Sequence, residues 1–197
     1  AIPEGLSANI SRGRTPDGVG NWCFFDSPTP DASNNQSTCY SGITPAPIVD
    51  LPSGWYSSSN PVSVTTAANA TSYYTTNGDE PDQSDPVVNG LIYVSQTSVL
   101  SVKSFGNSSQ ALPSPTIDRT YIIDEDNHNL PVVSIITDED HLWDWNTGIY
   151  VMGPNASSNY PYFGSNFWQP WSRKSRMEFF DRNQNKDRKS TRLNSSH

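Results

Sequence analysis

Five short runs between Ile43 and Ile123 constrain this chain more than any other feature: Val62 to Thr66, Thr71 to Thr76, Leu91 to Val94, Val99 to Phe105 and Ile117 to Ile123. They are short, rich in β-branched and aromatic residues, and closed by clusters of Gly, Pro, Asn, Asp and Ser. Strand side chains point to alternate faces, so each run carries an apolar face that another sheet must cover. At this short, fairly regular spacing the solution is a β-sandwich. Composition agrees. Only 34% of the 197 residues are hydrophobic and mean hydropathy is −0.62, which suits a mainly β chain of small units with long turns.

Inside that stretch, Tyr73 to Pro81 reads YYTTNGDEP. This is similar to a motif of the chitobiase or β-hexosaminidase C-terminal domain, and the resemblance implies an immunoglobulin or fibronectin-III-like accessory sandwich over residues 43–123. Asp79, Asp82 and Asp85 crowd one turn and could hold Ca²⁺ through carboxylate oxygens. They lack EF-hand order, and a solvated acidic turn is the plainer reading. Trp55, Tyr56, Tyr73 and Tyr74 offer faces on which a sugar ring can stack, although alternating aromatic positions in strands more often fill a core.

The densest segment follows. From Trp143 to Phe180 lie 11 of the chain's 22 aromatic residues. Leu130 to Ile136 is a nearly continuous apolar run, expected as a strand buried on both faces. A short helix should follow, capped by Thr137, with Asp138, Glu139 and Asp140 in its first turn and Asn146 and Gly148 marking its end. Gly148 to Met152 and Ser175 to Asp181 read as two further strands. The Gly, Pro, Asn and Ser-rich loop between them, Gly153 to Asn166, carries Tyr160, Tyr162 and Phe163 and is expected to fold back onto the body. In such a segment apolar surface should stay exposed. Glu178 and Asp181 fall on opposite strand faces, and Glu178 is expected to pair with Arg173, Lys174 or Arg176.

The runs LPVVSIITD, LWDWNTGIYVMGPNAS, YPYFGSNFWQPW and MEFFD together resemble the opening of the spore-coat protein H (CotH) kinase-like domain of secreted bacterial proteins. The resemblance implies that residues 124–186 begin an α+β phosphotransferase-type domain. Its ATP, Mg²⁺ and catalytic elements would lie further downstream, so no cofactor is expected within these residues. The linker Asp124, Glu125, Asp126 and His128 suggests metal ligands, but a polar turn accounts for it more simply. His141, with no Ser or Cys motif beside it, reads as a surface or packed residue.

Residues 1–42 contain ISRGRTPDGVGNWCFF and a Thr29 to Asn34 close. These resemble the C-terminal end of a lamin-tail domain, which implies the last strands of an incomplete sandwich. Trp22, Phe24 and Phe25 are then expected to lack a full core. Cys23 and Cys39 have 15 residues between them, and a disulfide is the plain reading, stabilising by about 3 kcal/mol. A metal or reactive-thiol pair is the alternative, without CxxC spacing or a neighbouring His to favour it.

Charge divides the chain. Residues 1–172 carry a net −13 and residues 173–197 a net +5. An acidic body argues against nucleic acid or an anionic membrane as partner, and no apolar run approaches the roughly 18 residues of a span. The N-terminal residue is Ala1, which suggests an internal or processed start. The last stretch, DRKSTRLNSSH (residues 187–197), resembles translated sequencing-adapter DNA and is expected to be non-native. No GxSxG elbow, GxGxxG turn or HExxH helix is present, and the phosphate-loop spacing of Gly13 to Gly18 is followed by Val19 and Gly20 instead of Lys and Ser. The expectation is a non-catalytic part of a secreted or surface multidomain protein, with a surface protein or glycan as partner. A CotH-type protein kinase and a secreted glycosidase are the alternative parents.

Overall fold

A computed structural model of the chain describes residues 9–126 and 130–183. His128 and the tail 187–197 lie outside them. An antiparallel hairpin, β1 (Ser11–Thr15) and β2 (Asn21–Phe25), comes first. The Cys23–Cys39 disulfide and a two-way amide bridge between Phe24 and Tyr40 tie it to the following loop. Phe25 is buried, with Cys23 beside it in the sequence order of the same strand face, whereas Trp22 is 55% exposed under the guanidinium groups of Arg12 and Arg14. The expectation of a missing core therefore holds for Trp22 and fails for Phe25.

The strands β3 (Gly42–Ile43), β4 (Ile48–Val49), β5 (Gly54–Tyr56), β6 (Asn60–Val62), β7 (Val64–Thr65), β8 (Ala70–Thr75), β9 (Ile92–Val94), β10 (Ser98–Gly106), β11 (Ala111–Leu112) and β12 (Ile117–Ile123) build a β-sandwich. One layer is a four-stranded sheet in the order β5-β12-β10-β8. The pairs β4-β7 and β6-β9 face it. Between the layers pack Val49, Val62, Ile92 and Val94 from one side and Leu100, Val102, Tyr121 and Ile123 from the other. Each such aliphatic side chain contributes about 1.5–3 kcal/mol on burial. The run Val62 to Thr66 is divided between β6 and β7, because the Asp50 carboxylate takes the Ser63 amide at 2.8 Å and breaks the ladder there.

A third layer covers the sheet. Strands β13 (Val132–Ile136) and β14 (Arg176–Phe180) pair antiparallel, and one face of this hairpin lies on the outer face of the four-stranded sheet. That is why Ser101 and Thr120, which alternation turns away from the core, are buried. Phe180 meets Trp55 edge-on at 5.1 Å. The opposite hairpin face is open: Ile135 is 69% exposed and Val133 about half exposed, so β13 is not buried on both sides as its apolar run suggests. With two strands and one covering layer, no second layer among the described residues covers the alternate positions, and Met177 and Phe179 are only half-buried.

Helix α1 is a single turn (Asp140–Trp143). Thr137 does not cap it. Its hydroxyl donates to the Lys174 carbonyl and lies 3.0 Å from His141 Nδ1, while Asp138 takes the Asp140 amide. Residues 148–152 form no strand. The amides of Gly148, Ile149 and Tyr150 donate to the carbonyls of Asp144, His141 and Leu142, so this stretch folds against the helical turn and has no ladder to offer.

Candidate functional site

Two features of residues 130–183 define the site: a buried polar clamp on the inner face, and an exposed aromatic surface outside. The clamp begins at β14. Arg176 and Glu178 share the hairpin's inner face by strand alternation and are 8% and 4% exposed. Arg176 Nε is 2.8 Å from Asp118 Oδ2 on β12, and its Nη2 donates to the Gly78 carbonyl and to Ser101 Oγ. Ser101 in turn donates to the other Asp118 oxygen at 2.8 Å. Every charge is answered, as burial requires.

Glu178 solves a different problem. Strand β5 begins at Gly54, so the Thr120 amide on β12 points past its end and would lack a ladder acceptor. Glu178 Oε2 accepts it at 2.8 Å, while Ser53 Oγ donates to Oε1 at 3.0 Å. Beside them Thr120 Oγ1 donates to Ser134 Oγ. At the other end, Glu80 bridges Lys103 of β10 and Lys174 before β14. Burial pushes the Glu80 carboxyl up, but the two ammonium groups outweigh it and hold it down at about 2. The backbone approaches closely here. Gly78 has φ +96°, and a Cβ on it would stand 3.3 Å from the Thr137 carbonyl.

The outer surface is organised by Asn166. Its buried carboxamide donates to the carbonyls of Trp145 and Gly148, and its amide donates to Met152. The loop 153–166 thus folds back onto the helical turn, while its rings remain outside. Tyr160 is 87% exposed, and Trp143, Trp145, Tyr150, Phe163 and Trp168 are all more than half exposed. Rings pair with each other, Trp143 with Tyr150 at 5.7 Å and Phe163 with Trp168 at 5.5 Å. So many exposed rings on one segment mark an interaction site more often than a solvent face.

The residues singled out in the sequence fare differently. Cys23 and Cys39 are bonded. Asp79, Asp82 and Asp85 use their oxygens in turn closure: Asp79 takes Asn77 Nδ2, Asp82 takes the Ser84 amide and hydroxyl, and Asp85 takes the Asp82 amide. Among the described residues no three His, Cys, Asp or Glu side chains come together as a metal-holding group. Tyr56 and Tyr74 pack on the sandwich core, Tyr73 meets Phe105 edge-on, and Trp55 lies on the outer face of the sheet. Gly13 and Gly18 belong to a β-hairpin, not to a strand-to-helix phosphate loop. The three cations expected near Glu178 go elsewhere: Arg173 to the Thr147 carbonyl, Lys174 to Glu80, and Arg176 to Asp118. Sequence reasoning missed the clamp because charges at alternate strand positions look like a solvent face. The paired Ser101 and Asp118 on neighbouring strands were the available signal.

The described chain is thus a β-sandwich protein with an added surface hairpin. Residues 51–114, about a third of the chain, match the family model of the chitobiase/β-hexosaminidase C-terminal domain. No curated protein and no solved structure matches the chain. No helix among the described residues is long and apolar enough to cross a membrane.

Proposed function

We propose that this chain is a non-catalytic part of a secreted or cell-surface multidomain protein, in which the sandwich is a rigid platform presenting the aromatic segment to a surface protein or glycan. The observation that carries this reading is the buried clamp of Arg176, Asp118 and Glu178, which holds the hairpin's inner face on the sheet and leaves the aromatic surface outward. The Cys23–Cys39 disulfide supports an oxidising location. The acidic body is a poor match for nucleic acid.

A second reading makes this the opening region of an ATP-dependent CotH-type protein kinase. It is favoured by the resemblance of residues 130–181 and by the open hairpin face at Val133 and Ile135, onto which further elements of a larger domain can pack. ATP and Mg²⁺ then belong to residues beyond these. An accessory role in a secreted glycosidase rests on the match to residues 51–114 alone, and fold likeness does not transfer activity. The test is direct. The purified chain should transfer no phosphate from ATP with Mg²⁺ to a protein acceptor, and release no chromophore from an N-acetylglucosaminide, above a matched blank. Turnover in either assay overturns the non-catalytic reading.

A further inference from the structure

A cavity of ≈ 320 Å³ opens where β13 leaves the edge of the four-stranded sheet. Trp55 and Ile122 come from the sheet, Leu130 and Val132 from the start of the hairpin, and Glu125 and Asp126 from the linker between them. This volume lies at the lower end of small-ligand pockets, and most of the lining is apolar. The hydroxyls at its wall are already bonded: Thr120 to Ser134, and Thr97 to the Ile123 carbonyl and Glu125. The charge at the mouth is not balanced by a cation among the described residues. The exposed carboxylates of Glu125, which accepts only the Thr97 hydroxyl, and Asp126 form no ion pair among the described residues, and the Trp55 ring lines the same cavity.

We propose that this cavity takes the cationic side chain, Arg or Lys, of a basic peptide segment of a partner protein. The complementary chemistry is an apolar stem with a positive head. The stem lies against Ile122, Leu130 and Val132, the head meets Glu125 and Asp126, and the Trp55 ring offers a face to the cation. A sugar fits less well, because it needs several free hydrogen-bonding groups and the wall hydroxyls are committed to one another. The net −13 of residues 1–172 also draws cations toward the site. The assignment is independent of the platform role, since the aromatic surface takes no part in it.

The test uses the full chain labelled with ¹⁵N, following the Trp55 indole N–H signal, assigned by its loss in Trp55→Phe. Nα-acetyl-arginine amide should shift this signal saturably. Its citrulline counterpart, neutral and nearly isosteric, should bind about tenfold more weakly or not at all, as should the arginine probe with Glu125→Gln/Asp126→Asn. Raising salt from about 50 mM to about 500 mM should weaken binding. Both substituted residues are exposed, so the variant spectrum elsewhere should be unchanged and the comparison interpretable. No shift with the arginine probe, equal shifts with citrulline, or saturation by N-acetylglucosamine instead would each overturn the proposal.

Discussion

Arg176→Ala is the sharpest perturbation of this architecture. The Arg176 and Asp118 side chains are 9% and 12% exposed, and their charged atoms are 2.8 Å apart. With an effective dielectric near 20, the attraction at that distance is about 6 kcal/mol, and desolvation of two ions takes most of it back. The net worth of the pair is therefore small, but removing one partner leaves the other's desolvation uncompensated. It also strips donors from the Gly78 carbonyl and Ser101. The expected loss is about 3–5 kcal/mol, or about 6–20 °C in Tm for a chain of this size. The assay is urea unfolding followed by Trp fluorescence, to which Trp55 against Phe180 contributes a reporter at the joint. The paired variant Arg176→Met/Asp118→Leu removes both charges and should recover most of the loss. A cost under about 1 kcal/mol for Arg176→Ala, the range of an exposed ion pair, would refute the clamp. Failure of the paired variant to recover would assign the loss to packing instead of charge.

Two further outcomes follow from the same geometry. Glu80 has a folded pKa of about 2 against an ordinary 4.5, so its contribution is complete above about 4.5 and fades as pH falls toward 2. Glu80→Gln should accordingly lower the urea midpoint at pH 7, and the gap from the parent chain should narrow by pH 3. Asn166→Ala removes a buried carboxamide from the carbonyls of Trp145 and Gly148, at about 1–3 kcal/mol. Limited proteolysis should then cut faster within residues 153–166 while the sandwich midpoint holds, and unchanged cutting would show that Asn166 does not organise the loop.

The exposed rings make sense beside the hairpin's open face. Val133 and Ile135 on β13 stand opposite Phe179 and Met177 on β14, so the outer side of the hairpin is wholly apolar, while the buried side carries the charged Arg176 and Glu178 among Ile136 and Phe180. This inverts the usual arrangement, in which a strand's charges face water. The inversion is possible because the sheet beneath supplies Asp118, Ser101 and the Thr120 amide as partners.

Local pattern determined a good deal. The strand positions of β8, β9, β10, β12 and β14, the sandwich, and the disulfide all follow from side-chain alternation, turn residues and a spacing of two cysteines, which depend on few neighbours. The aromatic richness of residues 143–180 announced a surface, and the tyrosine and tryptophan positions of the sandwich announced a core for Tyr56 and Tyr74. What only the tertiary structure decided is which side of β13 and β14 faces inward. Alternation defines two faces but does not say which one is covered, and an apolar face ordinarily goes inside. Here Asp118, Ser101 and Thr120, 58 or more residues away from Arg176 and Glu178 in sequence, supply the partners that let those two charged residues be buried beside Ile136 and Phe180.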